Sequence, residues 1–336
     1  MTIMLLSDHR AFPALRDQAL PSLGIFTLHP TFNVEPIMNT PSVQRVHEAH
    51  SGVHVVIKSF EHKTGLDGRR FLPAYSRALL SREATTLAQL HALGFAQAPY
   101  LVPRPLATDP ERLLLITEWL PGQSWGSILE TTLQTRNLGP LMAYVDTITG
   151  WLATLHRRTA TTDSIDSTNA WEYWEKLLRQ LRGQGLLNHA ALANLRMLQT
   201  HWANSGELEQ GLRSMIHGDA TPANMLFTAP AELALIDWER SRHDDPAIDI
   251  GCMVAELKHA FFNMLGDATA AEWLIRRVYD RYGLLNDFDQ AEFASFTQRG
   301  QFYMGCYLLR IARNEWFSWD YRQRLVAEAQ ACLVVR

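Results

Sequence analysis

From Met215 to Trp238 the chain reads MIHGDATPANMLFTAPAELALIDW, and no other stretch constrains the fold as tightly. It divides into a loop, a short strand, a turn and a second strand, with carboxylates at Asp219 and Asp237 and a carboxamide at Asn224. The segments on either side carry helical periodicity, so these short strands must be held within a mainly helical region.

The rest of the chain shows how that region is preceded. Residues 1–35 lack sustained periodicity and contain Pro13, Pro21 and Pro30, as expected of an extension with some helix. Between Ser42 and Phe60, the β-branched runs VQRVHE and VHVVIKSF flank AHSG, where Ser51 and Gly52 suit a hairpin turn. Leu80, Ala84, Leu87 and Leu90 recur at helical spacing and Gly94 supplies a stop, which predicts a helix over about 76–93. RLLLITEWLPG then gives a strand from Leu113 to Thr117 that ends at Pro121 and Gly122. Beyond it, Val145, Ile148, Leu152 and Leu155 share a face of a helix at about 139–157. Further helices are expected at about 171–181, 190–204, 247–262, 268–282, 289–315 and 320–333. The expected fold class is α+β in two lobes: an extension (1–35), a strand-rich lobe (36–118) and a larger helical lobe (119–336), hinged near Thr117 to Gly122.

Composition narrows the possible partners. A formal charge of -4 leaves no electrostatic footprint for nucleic acid and no basic patch for an anionic membrane. Cys252, Cys306 and Cys332 are far apart and lack CxxC spacing, which favours free thiols in a reducing compartment. The opening MTIMLLSDHRAFPAL is too short in its apolar run for a signal segment, so a cytoplasmic location is expected.

An acidic group that orients a hydroxyl proton, with two oxygen ligands for a hard cation, is the minimum kit for moving a phosphoryl group from Mg-ATP. Asp219, two residues after His217, is the candidate base, and Asn224 and Asp237 are the candidate Mg2+ ligands. In the first lobe Lys58 ends VHVVIK, placing its ammonium at the edge of a buried strand, and Glu83 lies on the helix that follows. Glu48, Glu61 and Asp67 compete with Glu83 as its partner. Thr117, Glu118 and Leu120 could offer backbone groups to an adenine edge. No GxGxxG precedes Lys58; NTPS, ending at Ser42, and HSG at His50 to Gly52 are the remaining sources of phosphate-facing donors.

These residues, in this order, resemble the aminoglycoside phosphotransferase and choline kinase group, small-molecule kinases with the protein-kinase-like fold. HGDATPAN is similar to its catalytic loop, IDWE to its metal-binding segment, and DPAIDIG, with Asp249, to the stretch that follows. VVIK, SREATTLAQLHALG and ITEWLPG resemble its lysine strand, glutamate helix and hinge, so the likeness spans roughly 40–315. It implies that Asp219 is catalytic, that Asn224 and Asp237 bind Mg2+, that Lys58 binds ATP phosphates with Glu83 orienting it, and that His217 and Asp249 brace the loop. The acceptor would be a small molecule with a hydroxyl group: an aminoglycoside, sugar, amino alcohol or related metabolite. Pro246 to Ile250 follow Trp238 within a dozen residues, leaving no room for the long activation segment of a regulated protein kinase.

Other readings weigh against these. HDDP at His243 to Pro246 could hold a metal, but a helix cap and turn is the expectation. Most of Trp151, Trp171, Tyr173, Trp174, Tyr303, Tyr307, Trp316 and Trp319 should be core, while Glu256, Glu315 and Asp320 are candidate substrate carboxylates. The rival functions are a pseudokinase-type nucleotide-binding protein and a metal-dependent hydrolase using His217, Asp219, Asp237 and His243.

Overall fold

The computed structural model describes residues 9–27, 29–37, 40–61, 70 and 72–334. The chain divides into two compact units, Met1–Gly122 with Ala234–Ser241, and Gln123–Leu233 with Arg242–Arg336. Asn39 and Asp67 lie outside the described residues. Among the described residues, no helix is long and apolar enough to cross a membrane.

The first unit is built on an antiparallel sheet of β1 (Phe32–Ile37), β2 (Thr40–Glu48), β3 (His54–Ser59), β4 (Pro105–Asp109) and β5 (Leu114–Glu118), in the order β1-β2-β3-β5-β4. The edge strands hold Pro36 and Pro105, each at a register shift, as expected for a residue that cannot donate to a ladder. The hairpin expected around AHSG joins β2 to β3. It is knit by Glu48, which accepts from the Ser51 N–H and hydroxyl, both at 2.7 Å, and from the His50 and Thr31 N–H groups. Burial pushes the Glu48 carboxyl up, but these donors outweigh it and hold the pKa down at about 2. Glu48 is therefore committed to the turn, and Glu61 pairs with Arg10, so neither serves Lys58.

Alternation along β3 buries Val55 and Ile57 on one face. There they meet Ala14, Leu15, Ala19 and Leu20 from the helical segments Phe12–Ala14, Leu15–Ala19 and Leu20–Ser22. Residues expected to form an extension with some helix thus cover the sheet. Pro13 falls in the first turn of this run, where the missing N–H costs nothing, and Pro21 follows directly on the wider-turned segment Leu15–Ala19 near the end of the run. Helix α1 (Pro73–Ala92) likewise starts on a proline and buries Leu79, Leu80, Glu83, Thr86, Leu87 and Leu90 along one stripe.

The second unit is mainly helical: α2 (Trp125–Thr135), α3 (Leu141–Arg158), α4 (Thr168–Gly183), α5 (His189–Ser205), α6 (Ala247–Leu265), α7 (Glu272–Leu285), α8 (Gln290–Ala312) and α9 (Trp319–Leu333). The sequence pattern gives no sign of α2, where Gly126 and three threonines weaken the helical signal; Ser124 starts it by accepting from the Ser127 N–H at 3.2 Å. A capping box of Asp289 and Glu292 starts α8. Helices α6 and α8 cross closely at Gly251, where an added Cβ would lie 2.4 Å from the Tyr303 Cβ. Trp174 and Trp202 are buried against Phe302, which the half-buried Trp171 also meets, whereas Trp316 and Trp319 are exposed. Within HDDP, the Asp245 carboxylate accepts from the Ala247 N–H at 2.9 Å, at the start of α6, and also pairs with Arg299 at 2.9 Å.

Candidate active site

Two constellations, one in each unit, carry the candidate residues. In the first, the period of β3 turns Lys58 away from the face that buries Val55 and Ile57. Its ammonium reaches Glu83 of α1 at 2.6 Å, pairs with Asp237, and lies 3.2 Å from Glu239. Phe60 adds a ring 5.1 Å from the nitrogen. Burial alone would pull the Lys58 pKa down, but Glu83 and Asp237 outweigh it and raise it above the ordinary value. The lysine is a fixed cation.

Glu83 reaches this cluster because it occupies a buried position of α1, between Leu80 and Leu87 in the apolar stripe. A carboxylate is stable there only because a buried cation meets it. Asp237 follows the strand Glu232–Leu235 and adopts φ +67°, a left-handed conformation that aspartate tolerates better than most residues. The next residue, Trp238, is fully buried and donates its indole N–H to the Leu235 carbonyl at 3.0 Å, fixing the bend. Arg82 donates to the Glu239 carbonyl and Thr86 meets Ser241, so α1 grips this segment along its length.

Glu83, Asp237 and Glu239 offer oxygens within 4.8 Å of one another beside the ammonium of Lys58. That donor set is rich in negative charge and hard in character, and it suits Mg2+ with phosphate and water completing the shell. It is the one group of at least three potential metal-ligating residues among the described residues, and it contains no histidine. His243 is exposed on β7 (Arg242–Asp244), which pairs with β6 (Ser214–Ile216), and among the described residues no metal-ligating group includes it. Glu239 was not among the sequence candidates; its signal was the second acid two residues after Asp237 in IDWE.

Ser42 lies on β2 next to Val43, the register partner of Lys58. Thr117 is buried in β5, and the Glu118 carboxylate accepts from the Arg104 N–H at 3.0 Å, which commits that side chain to β4. Leu120 is partly buried just beyond β5.

The second constellation is the loop after β6. His217 is fully buried and Gly218 has φ +76°, which glycine adopts at no steric cost. Asp249, in the first turn of α6, accepts from the His217 N–H at 2.7 Å and the Gly218 N–H at 2.9 Å. His156 of α3 approaches the same carboxylate at 3.2 Å and is itself held by the Tyr282 hydroxyl at 2.9 Å. Burial pushes the Asp249 pKa up, but His156, His217 and the backbone donors prevail and hold it below the usual carboxylate value. Further along, the Asn224 amide donates to the Asp219 carbonyl at 2.9 Å, closing the turn through Pro222–Asn224. With its nitrogen used in this way, Asn224 keeps its side-chain oxygen for another partner.

One neighbour of Asp219 was missed by the sequence reading. Arg310 of α8 donates from Nη2 to Asp219 Oδ1 at 2.7 Å and lies over the Tyr307 ring at 5.3 Å. The available signal was a lone arginine within the apolar run CYLLRIA. Glu256 of α6 feels both groups: burial drives its carboxyl up, Arg310 draws it down, Asp219 pushes it up again, and it settles at about 7. Glu315 and Asp320 are exposed.

The chain matches the model of the phosphotransferase enzyme family over residues 65–285. Among solved structures, it resembles a candidate fructosamine-3-kinase from Thermobifida fusca, with TM-score 0.57, 17% identity, and coverage of 94% of this chain and 98% of that one. A Plasmodium vivax ethanolamine kinase aligns with TM-score 0.56 at 14% identity, covering 89% and 81%. The ternary complex of APH(2″)-IIa with streptomycin and ATP aligns with TM-score 0.55 at 13% identity, covering 99% and 100%. No curated protein matches the sequence. The two-unit α+β fold is protein-kinase-like, and the chain belongs to the phosphotransferase enzyme family, enzymes that transfer phosphoryl groups to small molecules bearing hydroxyl groups.

Proposed function

We propose that the chain transfers the γ-phosphoryl group of ATP to a hydroxyl of a small molecule, with Asp219 as the base. The acceptor oxygen attacks the γ-phosphorus, the bond to the β,γ-bridging oxygen breaks, ADP departs, and the acceptor proton passes to the Asp219 carboxylate. Lys58 binds the phosphates and Glu83 orients it. Asn224 and Asp237 are the residues that would hold Mg2+, which when bound neutralises phosphate charge and keeps the transferring group in line. Ser42 and the segment containing Thr117, Glu118 and Leu120 are the proposed nucleotide contacts, and His217 and Asp249 support the loop.

The observation that carries this reading is the meeting of Lys58, Glu83 and Asp237, separated by 25 and 179 positions from the lysine, in one buried charge cluster. An ion pair kept only for stability gains little over apolar packing, so an acid-rich cluster of this kind points to a ligand. The test is thermal stabilisation of the protein by ATP with and without Mg2+, followed by ADP release with aminoglycosides, sugars and amino alcohols as acceptors. Magnesium-dependent stabilisation with acceptor-dependent ADP release supports the reading. Stabilisation with no turnover of any acceptor favours a nucleotide-binding protein of the pseudokinase type.

A further inference from the structure

The Arg310 side chain is 16% exposed and meets a 13% exposed Asp219, yet only its Nη2 is used on that carboxylate. A guanidinium presents a planar fork of N–H donors, suited to two acceptors at once. Glu256, close enough to feel Arg310, is not among its hydrogen-bond partners in the described residues, and burial leaves that carboxyl largely uncharged below about pH 7. The fork therefore has capacity beyond Asp219. Tyr307 backs the guanidinium, and the ring of Tyr173 lies 6.5 Å from that of Tyr307. Tyr173 also lines an open groove of about 840 Å³ along α4, shared with Thr168, Trp171 and Lys176, which has room for the body of a small molecule.

An anionic group in the remaining part of the fork sets the rest of its molecule beside the Asp219 carboxylate. A cationic acceptor would bring a second positive charge against a partly buried guanidinium.

We propose that Arg310 recognises the acceptor and that the acceptor is a hydroxy acid, held by its carboxylate in the fork shared with Asp219. This rests on the phosphotransfer reading above and adds the substrate class to it. The experiment compares glycerate, gluconate, serine and homoserine with glycerol, glucose, ethanolamine and choline. Both thermal stabilisation and ADP release are followed, in the native chain and in Arg310→Met and Arg310→Lys. The native chain should favour at least one acid over its neutral or cationic counterpart by about ten-fold or more in kcat/KM. Arg310→Met should raise KM for that acid by about ten-fold or more and leave KM for ATP unchanged, while Arg310→Lys, which keeps the cation, should recover part of the loss. Preference for amino alcohols or neutral sugars overturns the proposal. So does an effect of Arg310→Met on KM for ATP in place of the acceptor, or the absence of both turnover and stabilisation with every acid. None of these outcomes touches the role of Asp219, which is tested separately by Asp219→Asn.

Discussion

The carboxylate of Asp249 accepts the backbone N–H of His217 at 2.7 Å, and the same side chain takes the next N–H, from Gly218, at 2.9 Å. One fully buried group at the start of α6 thus fixes the path of the loop that presents Asp219 and Asn224.

Asp249→Ala strands two backbone donors and His156 in the interior, and it should destabilise the fold by about 3–5 kcal/mol in urea unfolding. Because its folded pKa lies below the ordinary value of 3.8, the contribution of Asp249 is fully present above that pH and drains away as pH falls beneath it. The native chain and Asp249→Ala should therefore converge in stability under acid. A gap that persists unchanged at low pH contradicts the assignment.

In the Lys58 cluster, Lys58→Met removes the ammonium that meets Glu83, Asp237 and Glu239. The loss in kcat/KM should be about 100-fold or more, with a raised KM for ATP. Glu83→Gln keeps the shape of the side chain but not its charge, so it should cost about 10-fold. Equal kcat/KM in native and Lys58→Met enzyme is the contradicting result.

Much of this was readable from the residues. The β2–β3 hairpin, α1 and the order of Lys58, Glu83, Asp219, Asn224 and Asp237 follow from periodicity and motif spacing, because each is a local pattern. Some helix was legible in the N-terminal extension, but not its packing on the sheet, which is a non-local contact, and α2 was hidden by a weak local propensity that Ser124 and packing override. Arg310 lies 91 residues from Asp219, and no local pattern announces a contact set by where α8 passes the loop. Glu83 was ambiguous for a related reason: a charge on a helix is usually solvated, and only the burial of its stripe shows otherwise.

Glu256 makes the reverse pH prediction. Its folded pKa, about 7, is raised above the unfolded value of 4.5, so stability is lost as pH rises between these values, where the unfolded chain ionises first. Glu256→Gln should gain on the order of 2 kcal/mol relative to the native chain at pH 8, the side chain being partly solvated, and much less at pH 4. Thermal unfolding at the two pH values measures this, and a gain that does not grow with pH rules it out.

At the α6–α8 crossing, Gly251→Ala would bring a Cβ to 2.4 Å from the Tyr303 Cβ and 3.0 Å from the Met304 backbone nitrogen. With helix backbone on both sides, the strain should cost about 3 kcal/mol. Gly266→Ala serves as a comparison, since nothing lies within 4 Å of its added Cβ and only the left-handed φ of +77° is penalised. A larger loss of Tm for Gly266→Ala than for Gly251→Ala would reverse the expected order.

The central claim is that Asp219 takes the acceptor proton during transfer from ATP. Single-turnover transfer of labelled γ-phosphate to an accepted hydroxyl compound, in native and Asp219→Asn enzyme with Mg-ATP binding measured alongside, tests it most directly. The account predicts a fall in the transfer rate of about 1000-fold with Mg-ATP binding retained. Transfer at the native rate in Asp219→Asn would contradict it.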